Sequence, residues 1–321
     1  MKPFWKNTRK KKSKKHSEPS QQKPRIQTRS KPMEEPWKPP MAVPPKAVQT
    51  KETPIVPMLE SARSVKKEYL PHRMTMRKSE YYHEFRSKFQ QLLSPKCRPI
   101  DIWRDFIVMV ACAMSNTVDK AHYDEREKRY LEIINKYEES QQHIFPKLYA
   151  AVVLALDENP EQDFLGEMFM DLHLDYEELK QIFTPYHVCQ LMADVTMGDL
   201  VQQVEEQGYV SINDCCCGAG ANLIAAINSA RHMLEDAGLN FQNHILIIGQ
   251  DIEELVALMC YIQISLLGVA GYIKVGNALT EPMTSDDSME NYWFTPMYFS
   301  DVWHTRRMIH RFMDLFEKED K

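Results

Sequence analysis

Apolar residues recur at helical spacing from about residue 78 onward. Ile102, Phe106, Ile107, Val110, Ala111 and Met114 form one stripe, the i, i+3, i+4 recurrence of an amphipathic helix. A charged helix is expected over 123–139, with Tyr130, Ile133, Ile134 and Tyr137 on its apolar side, and a more apolar one over 145–156. Asn159-Pro160 reads as the opening of a fourth helix, because proline suits a first turn; it carries Phe164, Leu165, Met168, Phe169 and Leu172. Such stripes ordinarily build a core, so the region is expected to be all-helical, without repeats.

The pattern changes near Thr184-Pro185. A helix is expected over 185–206 with Thr184 as its N-cap. Strand and helix signals then alternate: a strand over 209–213, a helix over 221–237, an apolar strand over 244–249, a helix over 252–267 and a short strand over 272–275. That alternation predicts crossover connections and a parallel sheet, an α/β arrangement. Residues 1–75, rich in Lys, Pro, Gln and Ser, bury too little apolar surface to offset chain entropy and are expected to be disordered. The expected partition is a tail over 1–75, a helical domain over 76–180 and a partial α/β domain over 181–321.

Charge sharpens this partition. The chain has 321 residues and a formal net charge of −5, yet residues 1–50 hold 14 Lys and Arg against 3 Asp and Glu, which leaves about −16 for the remainder. A basic tail on an acidic body suggests contact with nucleic acid through the tail, at Arg9 to Lys15 above all; a merely solubilising tail would have the same composition. No run of 18 apolar residues occurs, so no membrane span is expected, and the basic N-terminus has no apolar region behind it to make a secretory signal. Seven cysteines, three of them adjacent (Cys215, Cys216, Cys217), suit reduced thiols in a cytoplasm better than a disulfide framework. They lack the paired spacing of a zinc site, and no histidine nearby in sequence offers a base for a cysteine nucleophile.

Three short segments carry candidate chemistry. Asp214-Cys215-Cys216-Cys217-Gly218-Ala219-Gly220-Ala221 lies between an expected strand and an expected helix. Glycine there permits a sharp turn and close backbone approach by a ligand, with a helix N-terminus behind it. Leu223 stands where a dinucleotide fingerprint would place a third glycine, which argues against a nicotinamide or flavin cofactor. A nucleoside with an amino-acid tail suits the segment better. Gln250-Asp251-Ile252-Glu253 follows the second strand; Asp251 fits a ribose diol, and would equally serve as a helix cap. Gly276-Asn277-Ala278-Leu279 follows the third; Asn277 is suited to an adenine edge or simply to a turn. Near the C-terminus the basic His304, Arg306, Arg307 and His310 suit contact with phosphates, and read more simply as a solvated helix face.

Taken with Asp163-Phe164-Leu165-Gly166 and Phe183-Thr184-Pro185-Tyr186, the Asp214 to Gly220 segment resembles the modification subunit of type I restriction systems, the gamma-class adenine-N6 DNA methyltransferases. The resemblance covers about residues 100–300. It implies a helical domain followed by a Rossmann-like sheet that binds S-adenosylmethionine, with double-stranded DNA as substrate and a specificity or other partner subunit. By the same resemblance Thr184 lies near the methionine end of the cofactor, and Asp214, Gly218, Gly220 and Asp251 hold it. Asn277 stands where the family usually has Asp near the adenine.

The family's Asn/Asp-Pro-Pro-Tyr/Phe motif, whose aromatic ring stacks on a flipped base, occurs nowhere in this chain. By position its nearest counterpart is Thr295-Pro296-Met297-Tyr298, so Pro296 and Tyr298 are the candidates for holding the base. The stretch 284–291 is too polar for a buried fourth strand. These features make the α/β part a truncated version of the usual seven-stranded sheet. Two functions follow as expectations: an adenine-N6 DNA methyltransferase of a restriction-modification system, or a non-catalytic module that keeps the cofactor pocket or a DNA-binding role. Methylation of a substrate other than DNA is a third.

Overall fold

A computed structural model of the protein describes residues 78–95, 97–174 and 183–319. The expected tail over 1–75 and the expected domain boundary at 180/181 lie outside these residues. The architecture is mixed α/β, with a helical region preceding a four-stranded sheet.

The helical region comprises α1 (Glu80–Leu92), α2 (Pro99–Asn116), α3 (Tyr123–Ile134), the single turn α4 (Glu139–Gln142), α5 (Phe145–Glu158) and α6 (Phe164–Asp171). The expected stripe on α2 is buried throughout. Phe85, Trp103, Phe106, Phe164 and Phe169 meet mainly edge to face, with ring centroids 5.5–6.1 Å apart, the arrangement that aromatic quadrupoles favour. Two boundaries differ from expectation. The charged helix stops at Ile134, and Tyr137 lies in the following turn. Asn159-Pro160 ends α5 rather than opening α6: Asn159 is extended, as residues before proline tend to be. The start of α6 is set by Asp163, whose side chain accepts from the Gly166 amide at 2.9 Å.

The expected helix over 185–206 is two helices, α7 (Tyr186–Thr196) and α8 (Leu200–Gln207), parted at Met197-Gly198-Asp199. Glycine is a poor residue for helix interiors, costing about 1 kcal/mol. Pro185, not Thr184, is the N-cap of α7, and no side chain caps it. The sheet follows as β1 (Val210–Asp214), α9 (Ala221–Asp236), β2 (Ile245–Asp251), α10 (Glu254–Leu266) and β3 (Ala270–Val275), with β1, β2 and β3 parallel. β4 (Tyr292–Phe294) then pairs antiparallel with β3, giving the order β1-β2-β3-β4. The polar stretch 284–291 is indeed no strand, but the three aromatics behind it are one.

α10 explains how the two regions join. Its residues Leu255 to Ile264 are all buried, as expected of a helix packed on both sides. One apolar cluster runs from Phe85 and Trp103 through α10 to Ile247 and Ile273. Arg126, 4% exposed, fastens the helical region to β4. It donates to Asp119 Oδ2 at 2.8 Å and to Tyr292 O at 2.7 Å, and it lies 4.0 Å from the Trp293 ring centroid. Arg129 forms a two-pronged bond to Glu254, at 2.6 and 2.8 Å. The opposite face of the sheet is closed by a 3-10 turn (Pro296–Phe299) and by α11 (Asp301–Glu319), with the Trp303 indole donating to Gln242 O. No helix among the described residues is long and apolar enough to cross a membrane.

Breaking a buried ion pair costs about 3–5 kcal/mol when the other charge is stranded; Asp119 keeps the His122 ring nitrogen at 2.8 Å, which places Arg126 at the lower end of that range. Arg126→Met should therefore lower the urea midpoint by that equivalent. Arg129→Met, at a half-exposed pair, should cost about 1 kcal/mol or less. Equal losses would show that the Arg126 staple is not a stabilising centre.

Candidate functional site

β1 ends at Asp214 and the chain turns through residues 215–220 into α9. Gly218 and Gly220 have φ of +52° and +99°, left-handed values that side chains disfavour. A Cβ on Gly220 would also lie 2.8 Å from Cys260 Sγ. Cys217 and Ala219 beside them pack into the core, and neighbouring elements hold the backbone of the turn. The Cys217 amide donates to Gln250 O of β2 at 3.0 Å. The Gly218 amide donates to Asp251 Oδ2 at 2.8 Å. Ala219 O accepts from the Gln263 side chain of α10 at 2.9 Å.

Asp214 and Asp251 both turn toward this loop. Asp214 accepts from the Cys216 amide at 3.0 Å and from the Asn222 amide group at 3.4 Å. Asp251, 8% exposed, accepts from Gly218 on one oxygen and from the Glu253 amide, at 3.0 Å, on the other. A carboxylate can accept about four hydrogen bonds, so these two leave acceptor capacity on Asp251. The turn after β3 joins the same end of the sheet: the Gly276 amide donates to Asp251 O, and Gln250 donates to Gly276 O. Asn277 Oδ1 accepts from the Leu279 amide at 2.9 Å, a turn-forming bond. Thr184 is exposed, and its neighbour Phe183 lies 3.6 Å from where Gly218 would carry a Cβ. Thr184, Asp214, Gly218, Gly220, Asp251 and Asn277 thus sit on segments that converge at the carboxyl ends of β1, β2 and β3.

Pro296 and Tyr298 are not among them. β4 runs back toward the start of β3, and the buried Thr295 exchanges bonds with Val269 and Gly271 there. Tyr298, 3% exposed, stacks on Phe294 at 4.9 Å on the face covered by α11. A chain reversal through the antiparallel strand has carried this pair to the opposite end of the sheet.

Two further residues of the site carry no signal in the sequence. Gln263, fully buried, donates to Asp163 Oδ1 at 2.8 Å and to Ala219 O, and accepts from the Leu165 amide at 3.0 Å. Asn222, on the first turn of α9, has a buried Oδ1 without a hydrogen-bond partner, and α9 receives no side-chain cap. The three adjacent cysteines have separate surroundings. Cys215 and Cys216 are exposed, whereas Cys217 is buried; its hydrogen bond with Cys260, and then burial, push its thiol well above the ordinary range. All seven cysteines are free, and among the described residues no group of three or more His, Cys, Asp or Glu could hold a metal ion.

Residues 161–319, from just before Asp163 through α11, match the family model described as N-6 DNA methylase. This part of the chain belongs to the N-6 DNA methylase family. The assignment carries a DNA methyltransferase-like function with it. No curated protein matches the chain.

In this methylase region the Gln263 bonds have measurable consequences. Gln263→Leu leaves Ala219 O and the Leu165 amide without partners, at a cost of about 1–3 kcal/mol each. Hydrogen exchange at 218–220 should quicken along with the lower melting temperature; a loss of stability without faster exchange there would separate Gln263 from the turn. Burial also pushes the Asp163 carboxyl above its ordinary 3.8, against the pull of Gln263 and Gly166. A raised pKa in the fold gives a contribution that is whole below the unfolded value and lost as pH rises through the folded one. Asp163→Asn, which cannot ionise, should therefore gain stability relative to the wild type as pH rises above about 4. A melting-temperature difference that stays flat with pH would contradict this.

Proposed function

We propose that the turn 215–220 binds S-adenosylmethionine and that the protein acts in DNA modification. One observation carries the reading: a left-handed glycine turn at the end of β1 is bonded through Gly218 to the carboxylate at the end of β2, within a region that belongs to a DNA methylase family. Residues 181–321 are read as a Rossmann-like domain on the same grounds, with the ligand at the carboxyl ends of parallel strands.

The residues fit the cofactor's chemistry. Its tail carries an ammonium and a carboxylate. The Asp214 carboxylate and the orphaned Asn222 Oδ1 are acceptors suited to the first, and the uncapped amides opening α9 suit the second. Gly218 and Gly220 leave space for close approach, Thr184 flanks the turn, and the acceptor capacity left on Asp251 suits a ribose. Asn277 stands one turn further along, with an amide that can bond an adenine edge. Ile252 and Leu279, 66% and 93% exposed, offer apolar surface on the turns after β2 and β3. When bound, the cofactor supplies an electrophilic methyl group; the chain's own contribution is to fix its position.

A second reading has an observation in its favour. The chain lacks Asn/Asp-Pro-Pro-Tyr/Phe, and Tyr298 lies buried far from the turn. A module that binds the cofactor, and DNA or a partner subunit, without transferring methyl groups alone would look like this. Calorimetric titration with S-adenosylmethionine should give one site per chain, weakened at least about tenfold by Asp214→Ala, the loss of about 1.4 kcal/mol. An intact fold without heat of binding would end the proposal. Labelled-methyl incorporation into duplex DNA then separates the readings: transfer by the isolated chain supports the enzyme, and binding without transfer supports the module.

A further inference from the structure

Between the sheet and α11 lies a narrow bay, walled by the rings of Tyr209, Tyr272, Tyr298 and Trp303. Three of the four basic residues near the C-terminus line it: Arg306, Arg307 and His310. His304 does not, and is exposed. The bay stands apart from the glycine turn. Tyr209 immediately precedes β1, and the five residues of that strand, Val210–Asp214, put roughly 16 Å between it and the turn, at about 3.3 Å per residue.

Arg306 is half-buried rather than solvated. Its guanidinium lies over the rings of Trp303 and Tyr209, 5.0 and 5.4 Å from their centroids, a contact that the electron-rich ring faces favour. Its Nη1 is buried without a hydrogen-bond partner among the described residues. Arg307 lies 4.1 Å from the Tyr298 ring centroid and donates to Tyr298 O. The His310 ring stands edge-on to Tyr209, with centroids 6.2 Å apart. No Asp or Glu lines the bay. Burial accordingly lowers the pKa of Arg306, with no carboxylate to oppose it. Cations withdrawn from water are ordinarily paired, because an unpaired one loses its hydration without return.

We propose that this bay binds a phosphoryl group, with Arg306 as its principal donor. Charge selects the ligand. Two guanidiniums and an imidazole, with no acid among them, suit a phosphoryl dianion better than a single carboxylate. The planar fork of guanidinium N–H groups also matches phosphate oxygens. The chain outside residues 1–50 carries about −16, so an anion is repelled over most of the surface and drawn in here. Phosphoryl groups of this kind come from a free phosphate or from the backbone of a nucleic acid. The bay needs no methyl donor, and its occupancy does not depend on what the glycine turn binds.

Inorganic phosphate, titrated calorimetrically into the full chain at constant ionic strength, should bind at one site. It should also raise the melting temperature, as a ligand of the folded state does. Arg306→Met should weaken that binding at least about tenfold and remove the shift, with circular dichroism unchanged. Without phosphate its melting temperature should hold or rise, because an unsatisfied donor has gone. A short duplex oligonucleotide then identifies the source. A matching loss of oligonucleotide affinity in Arg306→Met assigns the phosphoryl group to nucleic acid, and an unchanged one assigns it to free phosphate. If Arg306→Met does not fold, Arg306→Lys decides: it keeps the charge without the fork, and should bind phosphate more weakly. Equal phosphate affinity in Arg306→Lys overturns the proposal in that case. So does a wild type that phosphate leaves unshifted, or a shift that chloride reproduces at equal ionic strength. A destabilised Arg306→Met that keeps its phosphate shift would make Arg306 a clamp on Tyr209 and Trp303, and would equally overturn it.

Discussion

One buried amide group holds the candidate site in place. Gln263 satisfies both of its donors and its acceptor within the protein, on Asp163, Ala219 and Leu165. In a low-dielectric interior a fully satisfied network of this kind is rigid, and a partly satisfied one is costly. The glycine turn has particular need of it. Gly218 and Gly220 lend it no side chains, and only Cys217 and Ala219 reach the interior. Its geometry therefore depends on backbone bonds to Gln250 and Asp251 of β2 and to Gln263 of α10, two elements that differ in sequence position but meet under one turn.

Through Gln263 the helical region also takes part in the site. The family match begins at 161, next to Asp163, the residue that both caps α6 and bonds Gln263. The helices before it are outside the match, yet they share one apolar cluster with α10 and the sheet. Arg126 and Arg129 extend that union to β4 and to the start of α10. The face of α10 turned away from the sheet would otherwise be bare apolar surface. α2 and α6 cover it.

Local signals in the sequence were enough for the alternation of strands and helices, because each element is amphipathic or apolar over its own length. They also marked Gly218, Gly220 and Asp251, since residue type and position after a strand restrict what such residues do. Gln263 was invisible for a physical reason. It lies in a nearly unbroken apolar helix, and its partners are some 44 to 100 residues away, beyond any periodicity. β4 was missed because three residues, Tyr292, Trp293 and Phe294, are too few to show alternation. Thr184 was misread as a cap: Pro185 takes the capping position with an extended ψ of 133°, and the threonine is left exposed beside the turn.

The placement of Tyr298 bears most directly on the chemistry. A ring that stacks on an extruded base needs an open face and access to the methyl donor. Tyr298 is stacked on Phe294, and the Arg307 guanidinium lies 4.1 Å from its ring centroid. Exposing a buried aromatic side chain costs about 1.5–3 kcal/mol in burial alone, before the neighbouring rings repack. Even then the ring would stand at the end of β3 remote from Gly218 and Asp251. Sequence position suggested this tyrosine, but the antiparallel course of β4 gives it a core role. The groups suited to a nucleoside, by contrast, gather where the parallel strands end. If methyl transfer occurs on this protein, the base must therefore be held at the carboxyl end of the sheet, by groups other than the Thr295-Pro296-Met297-Tyr298 segment.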